Sequence, residues 1–466
     1  MHTQIQSFLE KIFKQTSYLL PELILVLGLV ILLILAILKK KNTLFSTITY
    51  GVILVTSIIV SFYLPQENVV FLNFKRLILI SALCIPIVFP KPSFLEKTSE
   101  HPEWLFLMLS SSLGLLMMIS ATDWITLFVA LELAAIASYI LVILSWKKES
   151  YEGAIKYLLF GVFSSAIMVY GVSWLYGFVG TFLLESLLTL HFKNDVLLYV
   201  AFFMAIAGLL MKISAVPWHI WTPDAYQVAP VPVVAFLSVA PKIAGLIALY
   251  KIIQAYGTLI NDIETIVGVV AMISIIWGNL VAFWQKNIKR MLAYSSIAQI
   301  GYMLIGSVMG NVALESLFFY LVVYVLANFL VFALIEHYEK QYQITEMTDF
   351  KGIGQQDIWG MGTIMIGLIT LAGLPPTAGF MAKILIFSVL WESYNLKTSD
   401  ISLWWLVVGL INTIVGLFYY LKIPYYAFLK KEEKQVSPIP KYLMWICIVI
   451  SFLLITLFIK PSIILG

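Results

Sequence analysis

The chain has 466 residues, of which 61% are hydrophobic and 12% are charged, and its formal net charge is only +4. About a quarter of the residues of a typical soluble domain are charged, so this composition excludes a water-soluble globular protein. Its two cysteines, Cys84 and Cys447, lie far apart in apolar runs. Two thiols are too few for an iron–sulfur cluster, because such a cluster needs about four thiolates. Their positions also do not predict a disulfide framework.

The apolar segments have the length of membrane-spanning helices, which need about 20 residues each. The first, Leu19–Leu38, has no small-residue cleavage site, so we expect a spanning helix there and no cleavable signal peptide. The pattern predicts an all-α integral membrane protein of about fourteen transmembrane helices, at residues 19–38, 44–64, 74–90, 103–121, 124–145, 153–178, 196–216, 231–256, 264–284, 290–309, 313–335, 359–393, 402–428 and 441–460.

Basic residues are concentrated in the loops that follow the odd-numbered spans. The other loops, Pro65–Asn68, Ala121–Asp123, Tyr256–Glu264 and Met309–Glu315, are poor in lysine and arginine. Such a bias marks cytoplasmic loops, so we expect both termini on the outer side of the membrane. The bias is a topology signal, and we expect no nucleic-acid partner. The loop residues that carry the bias are Lys39, Lys40, Lys41, Lys91, Lys97, Lys147, Lys148, Lys286, Lys289, Arg290, Lys340, Lys351, Lys430, Lys431 and Lys434.

Two of the predicted spans contain proline in a position that should break the helix. The seventh span runs from Val196 to Met211 and then reads KISAVPWH, with Pro217; the twelfth contains LAGLPPTAGF at 371–380. Proline removes a backbone donor and clashes with the preceding turn. Broken helices at matching places in two halves indicate a transport pathway. The halves would be spans four to eight and nine to thirteen, although no internal sequence repeat is evident.

Four ionisable residues interrupt the apolar spans at depth: Glu132, Lys212, Lys242 and Lys383. A charge at the membrane centre costs about 2.5–3.5 kcal/mol on insertion scales, so such residues usually face a bundle interior and serve ion or proton movement. Burial away from water disfavours the charged form of both side-chain types, and a nearby opposite charge restores it. A Glu132–Lys212 pair that opens and closes would therefore move a proton. Snorkelling of the lysines to the interface is the structural alternative.

Further candidates lie closer to the span ends. His219 follows the first break and would titrate near neutral pH, which suits a proton relay as well as a hydrogen-bonded structural role. Lys156 lies only one turn inside the sixth span, where snorkelling is an equal alternative. Asp224 and Tyr226 are expected in a cytoplasmic loop and Glu22 at the interface. Polar residues of the tenth span would order water or join helices: Tyr294, Ser295, Ser296 and Gln299.

Nucleotide-binding motifs are missing from the sequence. It has no GxxxxGK[ST] loop, and the segment GIGQQD at 352–357 lacks the third glycine of a dinucleotide fingerprint. We therefore expect no nicotinamide, flavin, iron–sulfur or metal cofactor in this chain.

Four stretches resemble a known family: 123–139, 212–242 with the pattern KxSxxPxHxWxPDAY…AP…PK, KRMLAYSSIAQIGY at 289–302, and LAGLPPTAGFMAK at 371–383. With Pro21-Glu22-Leu23, they are similar to subunit N of the proton-translocating NADH:quinone oxidoreductase, respiratory complex I, called subunit 2 in mitochondria. The resemblance covers nearly the whole chain. The GLPPTAGF form favours subunit N over its antiporter-like sister subunits.

The resemblance implies an antiporter-like fold of fourteen helices with two inverted five-helix repeats. The expected divisions are an N-terminal three-helix segment at 1–100, repeats at 101–258 and 259–430, and a last helix at 431–466. It also implies a place among the other membrane subunits, including the sister subunits, with NADH, FMN, iron–sulfur clusters and quinone in partner subunits.

By the same resemblance, Glu132, Lys212, Lys242 and Lys383 match the family's proton-relay residues, Lys156 a lysine often counted with them, and His219 a histidine near the channel. Gln299 stands where many subunit N sequences have histidine, so a relay there would use water.

Three alternatives remain open from the sequence. The first is a subunit of a multi-subunit cation/proton antiporter, which would share the fold and the lysines. The second is a secondary carrier of a small solute, which would need a substrate cavity at the breaks. The third is a structural spacer in the membrane, which would tolerate loss of the deep lysines.

Overall fold

The computed structural model describes residues 18–38, 43–64, 69–90, 92, 94, 101–184, 196–256, 263–396, 400–432 and 438–465. Several positions that carry the predicted charge bias lie outside these residues: Lys39, Lys40, Lys41, Lys91, Lys97, Lys434 and the loop at 65–68.

Helices make up nearly all of the described chain. Their bounds are α1 Leu20–Ile37, α2 Thr43–Phe62, α3 Val69–Val88, α4 His101–Ser120, α5 Trp124–Ile143, α6 Lys148–Val179, α7 Val196–Ala205, α8 Ala207–Ile213, α9 Trp221–Val228, α10 Val231–Tyr256, α11 Ile263–Trp284, α12 Ile288–Val308, α13 Asn311–Tyr342, α14 Ile358–Ala372, α15 Ala378–Asn395, α16 Ile401–Tyr420, α17 Lys441–Ile459 and α18 Ser462–Leu465.

Twelve of the described helices are long and apolar enough to cross a membrane, and the pair α7–α8, bent by 41°, makes a thirteenth span. The pair α14–α15 around the second break supplies the fourteenth element of the predicted layout. Helices α6 and α13, with 32 residues each, extend beyond their predicted limits because their polar ends continue the helix outside the apolar layer. The prediction of an all-α membrane protein is confirmed.

The spans alternate in direction, so we call the membrane face at which α1 begins face A and the opposite one face B. Described basic loop residues, such as Lys147, Lys286, Lys351 and Lys430, lie at face B. Which face is cytoplasmic remains a prediction from this charge bias.

The two predicted repeats use the same close helix packing. A Cβ on Gly114 of α4 would lie 2.6 Å from the backbone nitrogen of Ala134 on α5, and one on Gly278 of α11 would lie 2.6 Å from that of Ala298 on α12. Glycine therefore lets both helix pairs approach to backbone contact. The second helix of each pair is also capped in the same way: the side chain of Asp123 caps α5, and the side chain of Asn287 caps α12.

Both of these cap residues also form an isolated β-bridge, Asp123 with Leu183 and Asn287 with Glu346. Equivalent contacts thus recur on opposite faces of the molecule, as inverted repeats require. The residue limits assigned to the repeats from the sequence remain predictions.

The helix breaks lie at the predicted prolines. Helix α8 ends at Ile213, before Ser214 in the left-handed region and Pro217. Helix α14 ends at Ala372, where Gly373 has a φ of 82°, and α15 begins after Pro375 and Pro376. Helix α10, which is buried along its length, lies between the two breaks and forms the centre of the core.

Candidate functional site

Three buried lysines lie within the spanning layer. Lys212 is the penultimate residue of α8, Lys242 lies in the middle of α10, and Lys383 lies in the second turn of α15. Their exposed fractions are 1%, 1% and 5%. Within the described part of the chain none of them has a carboxylate partner, so hydrogen bonds that the lysines donate to neutral groups replace the ion pairs expected for buried charges.

Lys212 lies in a polar pocket between three helices. Its ammonium nitrogen is 3.4 Å from the hydroxyl of Ser138 on α5 and 3.5 Å from that of Tyr157 on α6. The Tyr157 ring stacks on Trp221 at 3.9 Å. The Trp221 indole donates to the carbonyl of Met211, which also accepts from the backbone N–H of Ser214 at the end of α8. The aromatic pair therefore supports both the lysine and the broken end of α8.

Glu132 does not contact Lys212 in this structure. The expected ion pair is absent although both residues are described, and the Glu132 carboxylate accepts a short hydrogen bond from Ser165 on α6. Glu132 is half-buried, whereas Lys212 is buried. The Glu132–Lys212 pair that the sequence predicts is therefore not formed in this structure.

Lys242 donates a 2.6 Å hydrogen bond to the hydroxyl of Ser296 on α12. Its nitrogen also lies 5.9 Å from the ring centre of Tyr226. Tyr226 was expected in a cytoplasmic loop, but it is fully buried on α9, which folds back against the bundle with its aromatic side chains packed inward. The contact with Ser296 links the central lysine to the second repeat.

Gln299, one turn after Ser296, is held from three sides. Its amide donates to the carbonyl of Leu371 at 2.7 Å and to the hydroxyl of Tyr420 at 3.2 Å, and its oxygen accepts from Tyr320 at 2.6 Å. Non-helical backbone in a membrane needs such partners. Gln299 therefore clamps the second break.

Beside Gln299 lies a cavity of about 10 Å³, lined also by Tyr324 and Thr370. This is close to the space that one water molecule needs. Polar groups thus extend from Ser296 towards the second break, and neighbouring Ser295 bonds Tyr420.

Lys383 lies at the far end of this sequence of contacts. Its ammonium nitrogen donates to the carbonyl of Ala372 at 2.9 Å and lies 4.6 Å from the ring centre of Tyr302. We call Lys212, Ser138, Lys242, Ser296, Gln299 and Lys383 the buried axis.

The structure does not bring the remaining two candidates into the axis. His219 is buried after the first break, 6.3 Å from Trp277 between ring centres, without a hydrogen bond to Lys212 or Lys242. Lys156 lies at face B with 43% of its side chain exposed, and it pairs with Glu152 at 2.9 Å and Asp224 at 3.0 Å.

Asp224 on α9 joins two helices at face B. It also accepts a 2.6 Å bond from Arg290 at the start of α12. Partial burial works to raise the pKa of the Asp224 carboxyl, but the hydrogen bonds from Arg290 and Lys156 outweigh it and hold that pKa below its ordinary value. Asp224 was expected in a cytoplasmic loop; it lies on the short helix α9 and anchors that helix at face B.

Sequence reasoning missed a second buried charged group near face A. Glu22 of α1 and Lys75 of α3 form a 2.7 Å ion pair, and their side chains are 6% and 0% exposed. Ser120 donates to Glu22 at 2.6 Å. Glu22 lies in the first turn of α1, near the membrane boundary as expected, but its side chain is buried against Lys75 and Ser120.

No cluster of histidine, cysteine, aspartate or glutamate in the described residues could hold a metal ion. The site is a set of neutral hydrogen-bonding groups around buried lysines.

Comparisons with known proteins agree with this arrangement. Residues 121–414 match the family described as NADH:quinone oxidoreductase/Mrp antiporter, transmembrane. The NADH-quinone oxidoreductase subunit N of Desulforamulus reducens is 37% identical over 81% of this chain and 78% of its own length.

Two solved structures share the fold. A chain of respiratory complex I from Thermus thermophilus is 27% identical, with a TM-score of 0.81 over 96% of this chain and 98% of that one. A chain of the Mrp complex from Dietzia sp. DQ12-45-1b has a TM-score of 0.81 over 97% and 96%, but at 18% identity it shows the fold alone. This chain belongs to the NADH:quinone oxidoreductase/Mrp antiporter family of membrane subunits and, within it, to subunit N of the NADH-quinone oxidoreductases.

Proposed function

We propose that this chain is a membrane-arm subunit of an NADH-quinone oxidoreductase and that it moves protons along the buried axis. The observation that carries the proposal is the placement of Lys212, Lys242 and Lys383 at successive positions between two broken helices, each hydrogen-bonded to neutral groups. A buried lysine without a carboxylate partner holds its proton weakly and gives it up readily when its surroundings change.

Transfer begins, on this proposal, with the Glu132–Lys212 pair. Glu132 bonds Ser165 and Lys212 bonds Ser138 and Tyr157, an arrangement that the proposal takes as the open form of the pair. Closure of the pair would favour the protonated lysine, and opening would release the proton towards Lys242. The alternation, not either state alone, moves charge.

The second half of the path runs from Lys242 to Lys383. Ser296 accepts from Lys242, and Gln299 lies one turn further along α12. Because an amide cannot take up a proton, transfer past Gln299 uses the water-sized cavity beside it. Lys383 then passes the proton to face A.

Energy has to come from outside the chain. Moving one charge against 100 mV costs about 2.3 kcal/mol. We propose that quinone reduction in partner subunits supplies it, and that NADH, FMN, iron–sulfur clusters and quinone bind there and not here. Neighbouring antiporter-like sister subunits would transmit the change.

We further propose a bacterial inner membrane with face B cytoplasmic and both termini outside. The repeats at 101–258 and 259–430 would act as the two half-channels, with 1–100 and 431–466 flanking them. Lys156 would act at face B as a collecting charge, and His219 as a relay group beside the first break.

The test is Lys242→Gln in the assembled complex. We expect inhibitor-sensitive quinone reduction and proton uptake into vesicles to fall together, because the two are coupled. The matched control is Lys147→Gln, an exposed lysine at face B that should leave both rates unchanged. An assembled Lys242→Gln complex that pumps at the normal rate would refute the path.

Co-purification separates this function from the cation/proton antiporter. Purification from native membranes in mild detergent should yield flavin and iron–sulfur subunits with NADH:quinone activity. Recovery with small hydrophobic subunits and sodium-dependent exchange, without redox activity, would favour the antiporter.

A further inference from the structure

A long apolar groove of about 720 Å³ lies on the side of the molecule away from the buried axis. Helix α13 forms its floor, and α3 and α17, which both pack on α13, form its walls. Its lining is apolar apart from one end, where Asn73 and Arg76 face into it.

Arg76 brings a positive charge to the level of the membrane boundary. Its Nε donates to the hydroxyl of Ser61 at 3.0 Å, and another nitrogen donates to the Ser61 carbonyl at 2.7 Å. Ser61 and Phe62 are the last residues of α2 at face A, and the guanidinium lies 3.9 Å from the Phe62 ring centre. The side chain therefore reaches from within the apolar layer to the headgroup level.

The guanidinium of Arg76 has more N–H donors than the hydrogen bonds that the described residues accept from it. It has five N–H groups. Three of its hydrogen bonds are accounted for by Ser61 and by Asn73, whose side-chain oxygen accepts at 2.7 Å. Within the described residues no carboxylate pairs with Arg76. An arginine fork with free N–H groups fits a phosphate, which accepts two parallel bonds from it.

The apolar part of the groove has the reach of an acyl chain. From Arg76 to Val88, the last lining residue of α3, the helix rises about 18 Å. That exceeds half of the ~30 Å hydrocarbon core, the depth of one leaflet. The short helix α18, which packs on α13, adds Ile463 and Ile464 to the apolar lining.

We propose that this groove binds one anionic phospholipid, with its phosphate on Arg76 and Asn73 and an acyl chain along α13. The charge at one end and the apolar length below it match such a molecule, whereas a quinone or a partner helix would leave the guanidinium without an anion. This inference is independent of the proton path and stands or falls separately from it.

The test measures phospholipid retained by the purified complex. Native mass spectrometry follows delipidation and re-addition of phosphatidylglycerol or phosphatidylcholine. We expect phosphatidylglycerol to be retained preferentially and Arg76→Gln to weaken its retention at least tenfold, about 1.4 kcal/mol. Arg76→Lys, which keeps the charge but loses the fork, should fall between.

A second variant fills the groove and leaves Arg76 intact. Ile80, 43% exposed in the groove, is replaced by tryptophan, and Ile59, 49% exposed on α2 away from the groove, receives the same change as control. Ile80→Trp should lower retention and Ile59→Trp should not. Equal retention of both lipids, unchanged retention in Arg76→Gln and Ile80→Trp, or a photo-crosslinker at position 80 that captures a partner subunit would each overturn the proposal.

Discussion

The ammonium nitrogen of Lys383 lies 2.9 Å from the carbonyl oxygen of Ala372, the last residue of α14. A helix C-terminus carries partial negative charge, which favours a cation placed against it. The helix break therefore leaves the Ala372 carbonyl as a hydrogen-bond acceptor for Lys383 within the apolar layer.

Replacement of Lys383 by methionine tests its part in transfer. Methionine keeps the length of the side chain but carries no proton, so we expect coupled proton uptake to fall by about a hundredfold or more, the lower end of what loss of a proton-transfer group costs. Lys148→Met, at an exposed position of face B, is the control. Normal pumping by an intact Lys383→Met complex would remove this lysine from the path.

Gly379 fixes the geometry of the same break. A Cβ at this position would lie 1.8 Å from the carbonyl oxygen of Thr370, a backbone atom that cannot turn away. We expect Gly379→Ala to push α14 and α15 apart and to destabilise the chain by about 1–3 kcal/mol.

Gly362 on α14 is the matched control, because a Cβ there meets nothing within 4 Å. Gly362→Ala should stabilise the helix by up to about 1 kcal/mol. Thermal unfolding of the two complexes measures the difference, and equal stability would contradict the packing described.

The sequence predicted those features that a single segment reveals. A lysine within an apolar run, as at Lys242, or prolines within a span, as at Pro375 and Pro376, stand out without knowledge of neighbouring helices. Confirmed predictions of the all-helical fold and the two breaks are of this kind.

Features that depend on which helices touch were not predictable. Glu22 and Lys75 are far apart in sequence, and only the packing of α1 with its neighbours brings them together. Likewise, the hydrogen bond from Ser165 on α6 to the Glu132 carboxylate could not be predicted, because it depends on how α5 and α6 pack. Hydropathy gives the depth of a residue but not the direction in which it points.

The buried Glu22–Lys75 pair predicts a marked difference between single and double variants. Lys75→Met leaves the Glu22 carboxylate buried without its cation, which should cost about 3–5 kcal/mol. Glu22→Gln combined with Lys75→Met should recover most of that loss, since neither charge remains. Unfolding of the assembled complex measures both, and equal losses in the single and double variants would show that the pair is not coupled.

The lowered pKa of Asp224 predicts how the stability of α9 at face B depends on pH. Because its pKa is held below the ordinary value of 3.8, its bonds to Lys156 and Arg290 stabilise the folded state at all pH values above that range. The contribution is lost only as pH falls through the lowered pKa. Hydrogen exchange of α9 should therefore be insensitive to Asp224 ionisation between pH 5 and 8, with no titration there that Asp224→Asn abolishes. A protection change of α9 near pH 6 that this variant removes would contradict the assignment.

Substitutions of Gln299 distinguish its role in holding the second break from a role in proton transfer. Gln299→Leu leaves the Leu371 carbonyl and the Tyr320 hydroxyl without their partner, which should cost about 1–3 kcal/mol and lower coupled activity. Gln299→His keeps a hydrogen-bonding group and adds one that can carry a proton, so activity should persist. The ratio of proton uptake to quinone reduction in the two variants is the measurement. If Gln299→Leu assembles and pumps as well as Gln299→His, protons bypass this position, and the path from Lys242 to Lys383 must run on the other side of α12.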